Sequence, residues 1–500
     1  MEVRPVILAL GLFALAGVCG GQPVLYVDPQ LAASCTTYDP ISRKCGAGTN
    51  VGYPALPAAE AAATAGTTVL IRGGTYFGQL IHGHSGTAGN YVTYKNYGSE
   101  LVYLTFPGTH YVAIDISGRQ YVIIDGLHVE DTNTYWFEGD NCSYNILQNC
   151  VFKHSPSTGT RGNVEFVQSD HNQVLNNDIE DGQDNLTFID SNSNLLQGNI
   201  IMEARHSIFG IRCGNFNILR SNYLSNTKQK IGEVYDCGID THAVSNIFNA
   251  TKHNVIEDNV FALTCAFYAT AGCDGIQYGG QQGILRRNTF YNCNTGLGMQ
   301  VYPDESLYNT GNRVYNNVFY TNVGPGIATW AGATNNIFVN NILFGNQGCI
   351  NDCTQVTPGQ VVYRAPIDGS LFETNDILFQ TPGQPVIEAE FENGFSIAQF
   401  AGVAPGIFVG TLETDPQFVD ATNLNFELQS TSPMVDAGAF LTSASNSGSG
   451  TSLPLLDATY FQDGFGISGV AADVVQLQGQ TQAANVVRVD YVNNILTLDQ

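Results

Sequence analysis

The chain has 500 residues, with 19 Lys and Arg against 44 Asp and Glu, for a formal net charge of -25. That balance excludes nucleic acid as a partner, because phosphate binding needs a basic face. Charged residues make up only 13% while 43% are hydrophobic, which excludes a disordered chain and points to a turn-rich β protein with a substantial core.

Glu2 and Arg4 precede an apolar run over residues 6–18, followed by Cys19, Gly20 and Gly21. The run is too short to span a bilayer, so residues 1–20 are expected to be a signal peptide. The expected location is secreted, periplasmic or at the cell surface. Cys19 raises a lipoprotein alternative, but Val18 is a poor residue before a lipidated cysteine. No later segment is apolar for long enough to be an integral membrane span. In an exported chain, closely spaced cysteines read as local disulfides. The expected pairs are Cys35 with Cys45, Cys142 with Cys150, Cys265 with Cys273 and Cys349 with Cys353. No Cys/His set has the spacing of a zinc site.

Residues 22–53 read as irregular. PALPAAEAAATAG, residues 54–66, has Pro near its start and Gly at its end, which predicts one short helix. GTTVLIRGGTYFGQL predicts strand, Gly turn, strand, and NYVTYKNYGSE and QYVIIDGLHVE predict further strands. A repeat then takes over: ILQNCVF, VLNNDIE, LLQGNII, ILRSNYL, VIEDNVF, ILRRNTF, VYNNVFY and IFVNNIL. Its markers are Asn149, Asn177, Asn199, Asn222, Asn259, Asn288, Asn317 and Asn341, spaced by 28, 22, 23, 37, 29, 29 and 24 residues. Such a period, with short β runs and no helical pattern, means a β-solenoid. Asn tolerates the left-handed backbone of a sharp corner. Stacked coils would bring equivalent Asn side chains about 4.8 Å apart, forming a ladder.

The helix and GTTVLIRGGTYFGQL entry, the Asn-marked coils and the closing DPQFVDATNLNFELQSTSPMVDAGA together resemble secreted proteins of the pectate-lyase-like superfamily. The resemblance implies an all-β, right-handed parallel β-helix over residues 22–440, of about ten coils, with the N-terminal helix as cap and irregular last coils. It also implies a polysaccharide as partner. None of the family's catalytic motifs is present, so no catalytic residue carries over. Residues 441–452, rich in Ser and Gly, predict a linker. Residues 453–500 alternate as VVQLQ, NVVRVDYV and ILTL, which predicts a small β domain, barrel-like and ending at LTLDQ as if truncated. A monomer is expected.

Alternation selects the side chains that leave the coils. Aligning Gly-Ile-like pairs predicts an outward row of Glu165, Thr187, Arg212, Asp240 and Gln277, with His242, Gln300 and Trp330 two residues further along their strands. This stacks Arg212 on Asp240. His206 and Asp236 face out on the same strands, and Lys228, Lys230, Glu233 and Tyr235 come from the loop between them. The cluster has what β-elimination from a uronate requires: a cation on the carboxylate, a base for the C5 proton and an acid for the C4 oxygen. Arg212 is the candidate neutraliser or base, His206, His242 or Lys230 the candidate base, and Tyr235 or His242 the candidate acid. A polysaccharide lyase is the leading reading. A glycoside hydrolase would use Asp236 with Asp240, or Asp240 with Asp274. A non-catalytic β-helix binding glycan or protein is the third reading, with Tyr278, Tyr302 and Trp330 as stacking aromatics. Calcium is a candidate cofactor, with Asp178, Glu180, Asp181 and Asp184 forming one acidic turn, although solvated carboxylates are the simpler account of that turn. Arg286 and Arg287 read as a solvated face.

Overall fold

The computed structural model describes residues 23–500 apart from 82, 106–111, 131, 133–134, 156–161, 236–249, 265–272, 302–308, 348–358 and 390–391. The signal-peptide stretch lies outside the described residues.

The chain winds into a parallel β-solenoid with three faces. Each repeat supplies one strand to each face in the same order. In one coil these are Ile218–Arg220, Tyr223–Asn226 and Lys230–Tyr235. The first and second sheets use strands of about three residues. The third uses strands of up to six, such as Asp184–Ile189 and Ser207–Arg212. The second sheet has 12 strands, so the solenoid has two more coils than the repeat predicted. The extra coils come from the N-terminal segments, which lack the Asn marker, and from a late segment whose rung, Asn375, stands between Leu371–Glu373 and Asp376–Leu378. Val361–Tyr363, Leu371–Glu373 and Asp376–Leu378 form a complete late coil in a region expected to be irregular.

The expected helix forms over Leu56–Ala62, with Pro57 in its first turn, and covers the open N-terminal end of the core through Leu56 and Ala59. At the other end Ser396 and Gln399 cap a short helix, Ile397–Phe400, reciprocally. Its Phe400 sits edge-on to Tyr363 and Phe408 and closes the core. Inside, apolar side chains stack coil upon coil. Phe261, Phe290 and Phe319 lie with ring centroids 4.5 and 4.8 Å apart.

The Asn ladder runs at the first corner of each coil. The Asn222 Oδ1 accepts both the backbone N–H and the side-chain amide of Asn199, each at 3.0 Å. The Asn222 side chain in turn donates to Asn259 at 2.9 Å and to the Leu196 carbonyl at 2.9 Å. The chain of amides passes from Asn177 through Asn199, Asn222, Asn259, Asn288, Asn317 and Asn341 to Asn375. Two expectations are corrected. Asn149 is not a rung: Cys150 holds that place, and Asn149 is exposed, donating to Asp125. Nor do the rung residues take the left-handed conformation. The residue before each rung does, as in Asn176, Ser221, Asp258 and Asn316, with φ of 54, 55, 55 and 55°. A second ladder, unanticipated, joins Asn145, Asn172, Asn194, Asn217 and Asn254 at the corner five residues earlier.

Cys35 and Cys45 are disulfide-bonded as expected. Cys142 and Cys150 are not: both are free and buried. They flank the strand Ile146–Gln148, so an extended segment holds them at opposite corners of one face. Cys273 is disulfide-bonded, as is Cys213. Cys265, Cys349 and Cys353 lie outside the described residues.

The C-terminal unit is a four-stranded antiparallel sheet rather than a barrel, built from Ser452–Pro454, Val474–Gln476, Ala483–Asp490 and Ile495–Leu498. It packs on the first sheet through ion pairs. Arg286, buried, meets Asp473 at 2.6 Å and Glu257 at 2.6 Å, and Arg313 meets Asp457 at 2.7 Å. Arg286 is therefore not a solvated residue but the centre of this contact.

Removing a rung leaves buried amides without acceptors, at roughly 1–3 kcal/mol for each. Asn222→Ala should lower the unfolding free energy by about 2–4 kcal/mol in urea titration, whereas Asn149→Ala should change it by less than about 0.5 kcal/mol.

Candidate active site

The third sheet carries the cluster anticipated between residues 206 and 242, in a different register. The strand in that coil is Lys230–Tyr235, and it pairs Gly210 with Glu233 and Arg212 with Tyr235. Glu233, Val234 and Tyr235 thus occupy the place expected for Gly238, Ile239 and Asp240. The strand neighbours of Arg212 are Ile189 and Tyr235, where Asp240 was expected, and Glu233 is a carboxylate partner among the described residues. The coil spacing decides the register: Glu233 lies 23 residues after Gly210 and Gly238 lies 28, and Glu233 is the one that pairs with Gly210. Asp236, Asp240, His242 and Tyr302 lie outside the described residues.

Glu233 is the hub. Its carboxylate receives the Lys230 ammonium in close contact, the Arg212 guanidinium at 3.4 Å and the His206 Nε2 at 3.4 Å. His206 stands just before its strand, with Nδ1 2.7 Å from Asp184 Oδ1. That oxygen also accepts from the Ser207 hydroxyl at 2.8 Å and its backbone N–H at 3.0 Å. Lys230 reaches on to Gln277 Oε1 at 3.3 Å. The amides of Gln277 and Gln300 then donate to Asp274 at 2.9 and 3.3 Å. Arg212 lies over the Tyr235 ring, 5.6 Å from its centroid. Lys230 and Glu233, expected on a loop edge, begin and centre a strand instead.

Exposure sorts these groups by charge. Glu233, Asp184 and Asp274 are 0, 2 and 8% exposed, while the Lys230, Arg212 and His206 side chains are 13, 13 and 33% exposed. The carboxylates form a floor and the nitrogen groups a lid over it. Their titration differs accordingly. Burial of Asp184 opposes ionisation, but the hydrogen bond and charge of His206, with Arg212 and Ser207, outweigh it and hold the carboxyl below its usual range. For Asp274 burial wins over its bonds to Gln277, Thr295 and Gln300 and the charge of Lys230, and its pKa is raised.

Several expected contacts do not form. Tyr278 is fully buried in the core, because Ile276 and Tyr278 share the inward face of the strand Asp274–Tyr278. It presents no ring to a sugar. Trp330 is half-buried after the strand Ile327–Thr329, three coils from Glu233, or about 14 Å at the strand spacing. Glu165 is three coils away on the other side and buried. The acidic turn does not converge: Asp178 and Glu180 pair with Lys153, Asp181 pairs with Lys228, and Asp184 turns to His206. Carboxylates converge elsewhere on the third sheet, where Glu138, Asp140 and Glu165 bring oxygens within 4.8 Å of one another. An all-oxygen donor set of this kind suits a hard cation such as calcium. Sequence spacing missed it because the three come from two strands, although Glu138 and Asp140 alternate on one face.

No protein-family model matches the sequence, and no curated protein matches it. Solved structures resemble it in fold. The crystal structure of a pectate lyase is 15% identical, with 86% of this chain and 94% of that one covered and a TM-score of 0.45. A mannuronic acid specific polysaccharide family 6 lyase from human gut microbiota is 15% identical over 72% of this chain and 85% of its own, at a TM-score of 0.43. The receptor binding domain of a siphovirus tailspike is 12% identical, covering 89% and 88%, with a TM-score of 0.44. The likeness is one of coil architecture, at the level that the sequence resemblance implied.

The two buried aspartates should move stability in opposite directions with pH. The Asp184 pKa is lowered on folding, so its contribution is present above about pH 3.9 and lost as pH falls through the folded value. The Asp274 pKa is raised, so stability falls as pH climbs from about 3.9 through the folded value. In thermal melts between pH 4 and 8, Asp274→Asn should flatten the loss on the alkaline side and Asp184→Asn should lower the melting temperature most near neutrality.

Proposed function

We propose that the third-sheet cluster is the active site of an exported polysaccharide lyase acting on a uronate-containing glycan. The observation that carries this reading is the exposure order: in a chain with 19 basic and 44 acidic residues, the groups that face outward here are Lys230, Arg212 and His206, over buried carboxylates. A focused cationic patch is what an acidic glycan needs in an otherwise repulsive field. A glycosidase needs two carboxyl groups against the glycosidic bond, and Asp274 is buried beneath Gln277 and Gln300. A purely binding surface needs open aromatic platforms, and Tyr278 offers none.

In this reading Arg212 and Lys230 neutralise the uronate carboxylate and acidify the C5 proton. Asp184 fixes the His206 ring through Nδ1; as substrate enters, the Nε2 proton passes to Glu233, and the freed Nε2 lone pair takes the C5 proton. Electrons then move into the C4–C5 double bond as the C4–O bond breaks. Tyr235, beneath Arg212, gives its phenolic proton to the departing oxygen. A hard cation held by Glu138, Asp140 and Glu165 would neutralise a further carboxylate along the chain. The disulfide at Cys35–Cys45 fits action outside the cytoplasm.

The test is absorbance near 235 nm, where the unsaturated product absorbs, on polygalacturonate and alginate. Wild type should produce a rise, and His206→Ala should reduce kcat by about 10²–10⁴-fold at a temperature where its melting curve shows it still folded. New reducing ends without absorbance would replace this reading with hydrolysis, and neither signal on any polyuronate would leave a binding role.

A further inference from the structure

Directly beyond the end of the strand Ser207–Arg212 lies a cavity of about 530 Å³. It begins at Cys213, the residue after Arg212, and turns the corner from the third sheet toward the first. The volume is within the range of small-ligand sites. Its lining is mostly polar and holds a cation, Lys252. Among the described residues, Lys95, Lys153, Lys228 and Lys230 are all ion-paired. Lys252 lines the cavity without an ion pair among those residues; its backbone N–H, not its ammonium, donates to Asn215 Oδ1 at 2.7 Å.

The walls are fixed before any ligand arrives. Asn192 donates to Asp170 and Asn215 donates to Asn192, each at 3.1 Å, so an amide chain crosses three coils and ends on the Lys252 backbone. Phe216 stacks on His253 at 5.1 Å, and His253 on Tyr491 of the C-terminal sheet at 4.4 Å. Phe465 adds its edge to Phe216 at 5.1 Å. Burial and the adjoining Lys252 push the His253 imidazole down to about 4, so this wall is uncharged at neutral pH. Asp190 gives one carboxylate oxygen to Gln168 at 3.2 Å and keeps acceptor capacity for sugar hydroxyls. A preorganised pocket with one cation and several hydroxyl partners suits an acidic pyranose.

Resting on the lyase reading of the adjoining cluster, we infer that this pocket is a further sugar subsite that receives a uronate unit beyond the one at Arg212 and holds its carboxylate on Lys252. The C-terminal sheet then has a part in recognition, because Phe465 and Tyr491 support the pocket wall. The glycan would bend around the corner of the solenoid instead of lying along the third sheet alone.

Binding is measured by titration calorimetry in a His206→Ala background, so that turnover does not consume the ligand. The probes are oligogalacturonates and oligomannuronates of two to six units, with neutral cello-oligomers of the same lengths as controls. Lys252→Ala should weaken binding of the longer uronates by about tenfold, leave the dimers unchanged, and lose its effect at high salt. Lys252→Arg should restore affinity. Equal affinities for the variant and its parent at every length would overturn the subsite while leaving the active-site reading intact. An equal loss at all lengths, dimers included, would also overturn it, as a general charge effect. Uronates that bind neither protein would overturn both readings.

Discussion

A parallel solenoid must turn its backbone sharply three times per coil without leaving buried amides unpaired, and every other feature of this protein depends on how it meets that demand. Strand ladders satisfy the faces, but a corner has no strand partner. Asn answers with one side chain: its carbonyl accepts two N–H groups from the coil below, and its amide donates to the coil above and to a core carbonyl. Asn222 makes all four bonds. The strained conformation is passed to the preceding residue, which is why Ser221, Asp258 and Arg287 stand there at positive φ. The rung can then be chosen for its bonds and its neighbour for its tolerance of the left-handed region.

This division of labour leaves the third sheet free to vary. Two corners are pinned by amide ladders on either side of the first sheet, so insertions are tolerated where the chain returns from the third face. The spacing between rungs is 23 residues from Asn199 to Asn222 and 37 from Asn222 to Asn259. The added chain follows the strand Lys230–Tyr235 in sequence. The longer third-sheet strands give that face room for two outward rows. One holds Asp184, Ser207 and Lys230, and the other Thr187, Gly210, Glu233 and Gln277.

The repeat made the fold legible because it is periodic in a single chain. The coil count fell short where the Asn marker is missing, as at Val122–Asp125, and where a single marker, Asn375, stands outside the run of clean repeats. The second ladder was there to be found, since Asn194, Asn217 and Asn254 stand five residues before Asn199, Asn222 and Asn259. Register in the site was harder. Gly-Ile-Arg and Gly-Ile-Asp look equivalent at residues 210–212 and 238–240, and only the stacking of whole coils decides that Glu233 and not Gly238 pairs with Gly210. Inward and outward positions alternate so fast that the distinction between Gln277 and Tyr278 rests on one residue of register. Arg286 was misread for another reason: its partner Asp473 is 187 residues away, and no local pattern announces a docking contact.

The distribution of the few cations ties architecture to chemistry. In a chain of net charge -25, an unassigned basic group would be neutralised by the nearest carboxylate. Arg286 and Arg313 are spent this way in holding the C-terminal sheet against the coils, and Arg287 on Asp258. Lys230 and Arg212 are also paired, but with a carboxylate buried under them, so their charge is held at the surface and not cancelled within it. A fully buried Glu233 would be costly if left alone, since a desolvated carboxylate needs compensation. The cations supply that compensation, and the site is therefore stable only with them in place. An incoming acidic ligand competes with Glu233 for the same nitrogens, which sets the condition for binding: the ligand must offer its carboxylate without forcing Glu233 to lose all three partners at once. Lys230 retains Gln277 and His206 retains Asp184 as second contacts, so each can loosen from Glu233 and still be positioned.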